Sequence, residues 1–276
     1  MTPRVRSPRP AYTLIELLVV VAIIVLLIGI VFPSLVAARV EAQRIKCLAN
    51  LQAIGQACQA YATEDPNYYI IPVHPVAERG WRFDGEFEYG GGWATLAGPV
   101  GNIFRALSPE SRPLNRFLFA AGAVNSLDYK MFRCPGDTGI VDAPRNYDPS
   151  LPIGVPIVDI SGTSYRVNNH IRMYTDTHFY GPYLRRMHRV PETGSTVLIA
   201  ETPAQVAVYN PPPFISPGWH GRDGHFNVAF ADGHSGRIQI QGGNEPPREE
   251  YDGYWIFRGD GWRLDCYPDP PIRDRF

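Results

Sequence analysis

The sequence predicts an α+β fold, in which one long N-terminal helix packs on a small antiparallel β-sheet with long loops. Three observations support this fold class. Residues 17–38 form an apolar run without a formal charge, residues 39–64 continue with the spacing of an amphipathic helix, and the last third of the chain contains two hairpin patterns. The 276 residues also include 26 Gly and 27 Pro, which favours many turns and short strands over a helical bundle.

Composition and charge exclude two classes of protein. The chain is 45% hydrophobic and 19% charged, so it has enough apolar residues to bury a core and is not disordered throughout. Its net charge is −1, and no block of basic residues supplies a local patch for nucleic acid. We therefore expect no nucleic-acid partner.

The apolar run at residues 17–38 has the length of a membrane-spanning helix. It would rise roughly 33 Å at about 1.5 Å per residue, close to the thickness of a hydrocarbon core of roughly 30 Å. Arg4, Arg6 and Arg9 precede it, so the positive-inside rule predicts a cytoplasmic N-terminus and an exported body. A cleaved secretory signal is the alternative, although its apolar region is normally about 7–15 residues long.

Glu16 lies at the edge of this run, where a carboxylate is costly and indicates a functional role that needs a partner. A surface Glu whose head group reaches the membrane interface is the alternative. Residues 11–16 are Ala-Tyr-Thr-Leu-Ile-Glu, which resembles the processing site of type IV prepilins and type II secretion pseudopilins, usually Gly-Phe-Thr-Leu-Ile-Glu. Pro33 lies at the offset of the helix-bending proline of that family.

The resemblance implies that a prepilin peptidase cleaves between Ala11 and Tyr12 and methylates the new N-terminus at Tyr12. Glu16 would then neutralise the N-terminal amine of a neighbouring subunit inside the membrane. The chain would divide into a leader at 1–11, a long helix at 12–64 and a globular domain at 65–276, with the helix membrane-spanning over 14–38 and amphipathic over 39–64. Ala11 and Tyr12 replace the usual Gly and Phe with residues of similar size and character.

The amphipathic half of the helix offers one apolar stripe, which we expect to carry the globular body. Asp65-Pro66-Asn67 supplies a break, so the helix should run to about residue 64. The stripe consists of Val40, Ile45, Leu48, Leu51, Ile54, Cys58 and Tyr61.

Four cysteines in an exported protein permit disulfides. Cys47 and Cys58 would lie roughly 16 Å apart along the helix axis, which is too far for a bridge. Each could instead pair with Cys134 or Cys266, and we favour Cys47 with Cys134. Buried free thiols are the alternative. The spacing of the four cysteines does not favour a metal site, because the chain has no Cys-x-x-Cys pair.

The body is expected to contain short strands and turns. Residues 196–200 are an apolar run typical of a buried strand, and residues 114–123 have the spacing of a short helix. Residues 226–240 predict a hairpin with Asp232-Gly233 as a two-residue turn, and residues 254–266 predict a second hairpin with Asp260-Gly261 at its tip.

The first hairpin and the preceding His220 resemble the C-terminal signature of bacterial prepilin-like proteins with an H-X9-DG motif. Eleven residues, not nine, separate His220 from Asp232-Gly233, so either two residues are inserted in the 221–225 loop or the hairpin alone carries the match. This group implies a pseudopilin-like fold, and the last 35 residues lie outside the resemblance. Further matching segments are 46–51 with Ile54-Gly55 and Tyr61, 132–137, and Ser164-Tyr165 with Asn168.

These observations together predict a structural subunit and not an enzyme. We expect a single-pass protein of the bacterial inner membrane with a periplasmic body, assembled into a type II secretion pseudopilus or a type IV pilus-like filament as a minor component. Its partners would be the prepilin peptidase, the membrane and other pilin or pseudopilin subunits through the N-terminal helix. No small-molecule substrate is expected.

A signal-anchored periplasmic hydrolase or binding protein that depends on a metal and does not assemble is the alternative function. It depends on four residues, His220, His225, Asp232 and His234, which could converge on a metal ion across the first hairpin. No His-Glu-x-x-His, Gly-x-Ser-x-Gly or phosphate-loop motif supports it.

We expect no cofactor, with one exception that the family resemblance suggests. Secretion pseudopilins often carry calcium in a late loop, and oxygen ligands suit that ion. A structural calcium site could use Asp223, Asp232 and Asp260.

Overall fold

A computed structural model describes residues 13–73, 87, 89–93, 108–119, 128–140, 153–168, 178–179, 181–209, 217–240, 248–251, 254–268 and 272–273. The predicted cleavage site at Ala11 and Tyr12 lies outside the described residues. Residues 120–123 of the predicted helix at 114–123 also lie outside them.

The predicted long helix is confirmed as α1, Leu14–Glu64, a single helix of 51 residues that contains Pro33. Thr13 precedes it, and its backbone N and Oγ1 each donate to Glu16 Oε2 at 2.8 Å. Glu16 N donates back to Thr13 Oγ1 at 3.3 Å, which completes a capping box. After the last turn, Asp65 Oδ2 accepts from Asn67 N at 3.0 Å, so the Asp65 side chain stabilises the turn that ends the helix.

The chain divides into two compact units, residues 1–42 and residues 43–276. In the first unit, every residue from 13 to 39 is exposed. Among the described residues, α1 is the one helix that is long and apolar enough to cross a membrane, and its most apolar 18-residue window has a mean hydropathy of 3.4 with no part buried. This segment therefore finds no partner for its apolar surface within the first unit.

The second unit is α+β, as predicted, and is consistent with a pseudopilin-like fold. Its strands are β1 Tyr165–Val167, β2 His178–Phe179, β3 Val197–Glu201, β4 His225–Phe230, β5 Ser235–Gln239, β6 Arg248–Tyr251, β7 Tyr254–Gly259, β8 Trp262–Arg263 and β9 Ile272–Arg273. The main sheet has four antiparallel strands in the order β1-β3-β4-β5, with β2-β9 and β6-β7-β8 as separate small sheets. The helices after α1 are α2 Asn115–Leu118, α3 Ile157–Ser161 and α4 Thr202–Tyr209, with 3-10 turns at Pro109–Ser111, Asp128–Phe132 and Met187–Arg189.

The C-terminal half of α1 supplies one side of the main core. Leu51, Ile54 and Cys58 are fully buried and pack in one cluster with Leu198 and Ile199 of β3. The predicted stripe is thus correct at these three positions and at Tyr61, which is buried in the same cluster. Ile45, which the helical spacing also placed on the stripe, is 55% exposed.

The two predicted hairpins are confirmed, with one correction to a turn. In the β4-β5 hairpin, Phe226 pairs with Ile238 and both side chains are buried. The loop has three residues and not two, since Phe230 N donates to His234 O at 2.9 Å and Gly233 N donates to Phe230 O at 3.0 Å. Of the loop residues, only Gly233 has a positive φ, +89°, which fits a turn followed by a left-handed glycine.

The second hairpin has the predicted two-residue turn. Gly259 pairs directly with Trp262, which leaves Asp260-Gly261 at the tip of β7 and β8. The buried strand expected at residues 196–200 is β3, which lies between β1 and β4 in the main sheet.

Candidate functional site

The N-terminal motif places a carboxylate in the first turn of α1. Both hydrogen bonds from Thr13 end on Glu16 Oε2. Pro33 lies inside the helix, where it has no N–H to donate to the carbonyl of Gly29. Next to it, Ser34 Oγ donates to Val31 O at 2.7 Å.

A second candidate site is buried in the body, where four distant chain segments meet. Cys47 lies on α1, Cys134 follows the 3-10 turn at Asp128–Phe132, Glu201 is the last residue of β3, and His220 lies in the loop before β4. Each is at most 7% exposed. One thiol, carboxylate or imidazole atom from each residue lies within 4.8 Å of the other three.

Glu201 Oε1 is the centre of this Cys-Cys-Glu-His cluster. His220 Nε2 lies 2.8 Å from it, Cys47 Sγ donates to it at 2.9 Å, and Cys134 Sγ lies 3.7 Å away. Cys134 Sγ is also 3.2 Å from His220 Nε2. Asn227 orients the carboxylate, because its Nδ2 donates to Oε1 at 2.9 Å and its backbone N donates to Oε2 at 3.0 Å.

The loop Cys134-Pro135-Gly136-Asp137 holds Cys134 against His220. Gly136 N donates to Cys134 Sγ at 3.4 Å. A Cβ on Gly136 would lie 2.7 Å from Trp219 O and 3.0 Å from His220 Cε1, so only glycine allows the loop to pass this close. Cys134 N donates to Ser164 Oγ at 3.0 Å, which ties the loop to the start of β1.

Burial and mutual contact set the protonation of the cluster. Burial raises the pKa of the Cys47 thiol, and the hydrogen bond with Cys134 and the charge of Glu201 raise it further. The pKa of Cys134 is also raised, chiefly by burial. Burial lowers the pKa of His220, but hydrogen bonding to the Cys47 thiol and to Glu201 outweighs burial and raises the pKa to about 9. At neutral pH these shifts favour neutral thiols at Cys47 and Cys134 and a protonated ring at His220.

The structure brings Cys47 and Cys134 together, but not as a disulfide. All four cysteines are free and buried, which corrects the predicted bridge between Cys47 and Cys134. Both of these thiols are turned toward Glu201 and His220 instead. Cys58 and Cys266 lie outside this cluster.

The residues of the H-X9-DG-like pattern do not form one site. His220 precedes β4 and is buried, whereas Asp232 and Gly233 follow β4 in the hairpin loop. Asp232 Oδ1 lies 2.5 Å from His234 Nδ1, and both side chains are partly exposed. His225 Nδ1 lies 3.0 Å from the Asp223 backbone O.

The predicted metal ligands of this region are likewise not brought together. Within the described ranges, the one group of three or more His, Cys, Asp or Glu side chains that could hold an ion is the Cys-Cys-Glu-His cluster. The histidine set proposed for a hydrolase therefore does not converge, and neither do the calcium ligands proposed at Asp223, Asp232 and Asp260. Asp223 and Asp260 are exposed in two separate turns.

Glu201 and Asn227 are site residues that sequence patterns do not predict, and the spacing of the cysteines does not by itself indicate a shared site. One signal for Glu201 was present, because it is an acidic residue directly after the apolar run at residues 196–200. Nothing local connects it with Cys47, which lies 154 positions earlier.

Comparison with known proteins identifies the N-terminal segment. A family model described as the prokaryotic N-terminal methylation motif matches residues 6–32. The match includes Ala11, Tyr12 and Glu16, and it supports a prepilin- or pseudopilin-like protein with an apolar membrane anchor. No curated protein and no solved structure matches the chain. The H-X9-DG resemblance of the C-terminal region stays a prediction.

Proposed function

We propose that this chain is a prepilin-like structural subunit that is processed at its N-terminus and then assembles through α1. A prepilin peptidase cleaves it between Ala11 and Tyr12 and methylates Tyr12. The mature subunit enters a type II secretion pseudopilus or a type IV pilus-like filament as a minor component. The observation that carries the proposal is the match of the methylation motif to residues 6–32, at the start of a helix with unburied apolar side chains.

The exposed apolar surface of α1 supports a membrane and assembly role. The large hydrophobic side chains between Leu14 and Val36 are each 48–79% exposed. Contiguous apolar surface of this extent is rare on soluble monomers and marks a membrane or protein contact. In a bilayer the lipid covers it, and in a filament the same surface packs against the helices of neighbouring subunits.

Glu16 is suited to pair with the amine of a neighbouring subunit. Thr13 occupies Oε2 of its carboxylate, so Oε1 can accept from an amine without breaking the capping box. In a low-dielectric surrounding, a charge without a partner is costly, and pairing sets the axial register of two subunits. The mechanism of this protein is therefore association and not catalysis.

The arginines of the leader set the orientation of the chain in the membrane. Arg4, Arg6 and Arg9 keep the N-terminus in the cytoplasm, so residues after the apolar span lie in the periplasm and the chain is a single-pass inner-membrane protein before assembly. A large, loop-rich body is bulky for a subunit that packs thousands of times, which supports a minor position in the filament.

Peptide mass spectrometry of the membrane fraction from the native host tests the processing step. We expect a mature N-terminal peptide that begins at methylated Tyr12. A chain that begins after Ala38 would be a secreted soluble domain, and an uncut Met1 would be a plain signal anchor. Either of these two results refutes the proposal.

Substitution of Glu16 tests the assembly step separately. We expect Glu16→Leu and Glu16→Gln to be cleaved and yet to lose incorporation into filaments, because both remove the charge. Glu41→Leu is the matched control on an exposed position of the same helix outside the apolar span, and it should assemble normally. Normal assembly of Glu16→Leu after normal cleavage would contradict the role of this carboxylate.

Crosslinking tests the minor position. A photo-crosslinker at exposed Leu18 should give short products with other subunits. A long ladder made only of this chain would show a major subunit instead.

A further inference from the structure

More hydrogen-bonding groups lie close to Glu201 Oε1 than one carboxylate oxygen can accept from. Cys47 Sγ, His220 Nε2 and Asn227 Nδ2 all lie within 2.9 Å of the single atom Oε1, and Cys134 Sγ lies at 3.7 Å. A carboxylate oxygen offers about two lone pairs. The side chains around Glu201 are therefore packed more closely about Oε1 than its hydrogen bonds alone require.

His220 Nε2 likewise has more close polar neighbours than it can form hydrogen bonds with. It lies 2.8 Å from Glu201 Oε1 and 3.2 Å from Cys134 Sγ, although a ring nitrogen has one proton or one lone pair to offer. The other ring nitrogen, Nδ1, is buried and has no hydrogen-bond partner among the described residues. Nε2, and not Nδ1, is therefore the ring nitrogen that lies close to the other groups of the cluster.

The spacing of the four atoms is close to that of a tetrahedral metal site. Ligands at about 2.0–2.3 Å from zinc lie about 3.3–3.8 Å from one another. Four of the six separations between these atoms are 2.8, 2.9, 3.2 and 3.7 Å, and all six are within 4.8 Å. Outward movement of a few tenths of an ångström would bring the shorter separations to that range.

We infer that Cys47, Cys134, Glu201 and His220 form a structural site for one divalent transition-metal ion, with zinc as the ion that this ligand set fits. Two thiolates, one imidazole and one carboxylate are the ligand types that zinc takes in tetrahedral geometry, whereas calcium and magnesium take oxygen ligands. The inference does not rest on the proposed function, because no ligand belongs to the N-terminal motif.

The groups around the ligands support a charged centre. With both thiols deprotonated, two thiolates, one carboxylate and a divalent cation leave a net charge of about −1. Donors face each anionic ligand: Gly136 N at Cys134 Sγ, Tyr165 Oη at Cys47 Sγ at 3.5 Å, and Asn227 at both oxygens of Glu201. Such contacts orient ligands and offset their charge.

Burial makes the site structural and not catalytic. Four protein ligands complete a tetrahedron, and each of them is at most 7% exposed, so no open position faces solvent or a substrate. The ion would join α1, the Cys134 loop, the end of β3 and the His220 loop. In a body rich in glycine and proline, this linkage would fasten the sheet to the helix.

Metal analysis of the full-length chain, purified in detergent without a metal-affinity resin, is the direct test. We expect about one zinc per chain by mass spectrometry of the metal, retained after dialysis. Cys47→Ala should lose at least tenfold in zinc. Cys58→Ala is the matched control, because it removes a thiol of equal burial from the same helix, and it should keep its zinc.

Glu201→Gln gives a second variant that keeps the shape of the side chain. A neutral amide is a poor zinc ligand, so we expect at least a tenfold loss of zinc with the fold retained. A chelator should lower the melting temperature of the wild type and of Cys58→Ala, and should leave that of Glu201→Gln unchanged.

Cobalt substitution provides a readout that needs no variant. Cobalt added to the chelated wild-type chain should show thiolate-to-cobalt charge transfer and the intense visible bands of tetrahedral coordination. Cys47 and Cys134 should resist alkylation with metal bound and react after chelation.

Three results would overturn the inference. The first is a wild-type chain that takes up no stoichiometric zinc or cobalt even after reconstitution. The second is native material in which Cys47 and Cys134 form a disulfide, seen as a mass lower by two hydrogens. The third is equal zinc content in Cys47→Ala and Cys58→Ala.

Discussion

Substitution of Asp137 tests which hydrogen bonds hold the Cys134 loop in place. Its carboxylate accepts four hydrogen bonds: Oδ1 from Gly139 N and Ile157 N at 3.0 Å each, and Oδ2 from Val158 N at 3.0 Å and Ser164 Oγ at 2.6 Å. Two of these donors are in the first turn of α3. We predict that Asp137→Ala destabilises the body strongly and Asp137→Asn only moderately.

The size of the effect follows from these bonds. Hydrogen bonds to a charged group contribute about 1.5–3 kcal/mol each, but four bonds to one carboxylate are not additive, and loss of a helix cap alone costs about 0.5–2 kcal/mol. We expect about 3–5 kcal/mol for Asp137→Ala, because Pro156, the residue before α3, offers no replacement side-chain cap. Asparagine keeps one acceptor oxygen, but its NH2 group then faces the N–H of Val158, so Asp137→Asn should cost about 2–3 kcal/mol.

Denaturant unfolding of the full-length chain in detergent, followed by tryptophan fluorescence, measures both values. Trp219 reports on the same loop, because its Nε1 donates to Gly139 O at 2.9 Å. A chelator in every sample removes any contribution of a bound ion. Asp223→Ala is the control at an exposed carboxylate, expected within about 0.5 kcal/mol of wild type.

Two outcomes would contradict the predictions for Asp137. Unfolding of Asp137→Ala at the wild-type midpoint would mean that the four bonds contribute nothing net. An equal loss for Asp137→Asn and Asp137→Ala would mean that the acceptor geometry of Oδ1 does not matter.

Three further predictions use the same unfolding assay. Gly55→Leu should destabilise by about 1–3 kcal/mol, because even a Cβ at Gly55 would lie 3.3 Å from Ala229 Cβ of β4. Gly233→Ala should cost about 1–2 kcal/mol for its φ of +89°, and more than Gly261→Ala at +70°, because only the former also meets a neighbouring side chain. Burial would raise the pKa of Asp265, but hydrogen bonds from two arginines outweigh burial and lower the pKa below the ordinary 3.8. The ionised Asp265 side chain therefore stabilises the fold above pH 3.8, and this stabilisation is lost as the pH falls through the lowered pKa. Asp265→Asn should therefore be less stable at neutral pH and lose less stability on acidification.

Each of these three predictions has its own contrary result. A Gly55→Leu chain as stable as wild type would mean that α1 is free to move away from β4. Equal costs at Gly233 and Gly261 would mean that the Gln59 side chain yields freely near the first turn. Identical acid sensitivity of wild type and Asp265→Asn would show that this carboxylate is not the group that titrates.

Local patterns predicted the elements whose hydrogen bonds are local. The helix could be predicted because an apolar run followed by 3.6-residue spacing is a property of neighbouring residues. The Asp65-Pro66 pair indicated where the helix ends. The β4-β5 hairpin was readable from alternation around Asp232-Gly233, but its loop length was not. Asp232 N donates to Thr193 O at 3.1 Å, a contact with a residue 39 positions earlier. Turn preferences depend on neighbouring residues and do not take such a contact into account.

Burial along the helix shows where periodicity reaches its limit. Leu51 and Ile54 are buried, whereas Ile45 is 55% exposed, because at about 100° per residue Ile45 lies roughly 180° around the helix from Ile54. Recurrence of apolar residues at three- to five-residue intervals therefore does not by itself place a residue on the face that packs against the sheet.

Sequence patterns were sufficient to identify the N-terminal methylation motif, the apolar anchor, the α+β class and the two hairpins, because each depends on residues within a few positions of one another. The position of Cys47 and Cys134 beside Glu201 and His220, as free thiols, is visible in the folded chain alone. Those four residues come from a helix, a strand end and two loops, across 154 positions between Cys47 and Glu201 alone. Their meeting point is set by the packing of α1 on the main sheet and by the close passage of Gly136 past His220, which no spacing along the chain encodes.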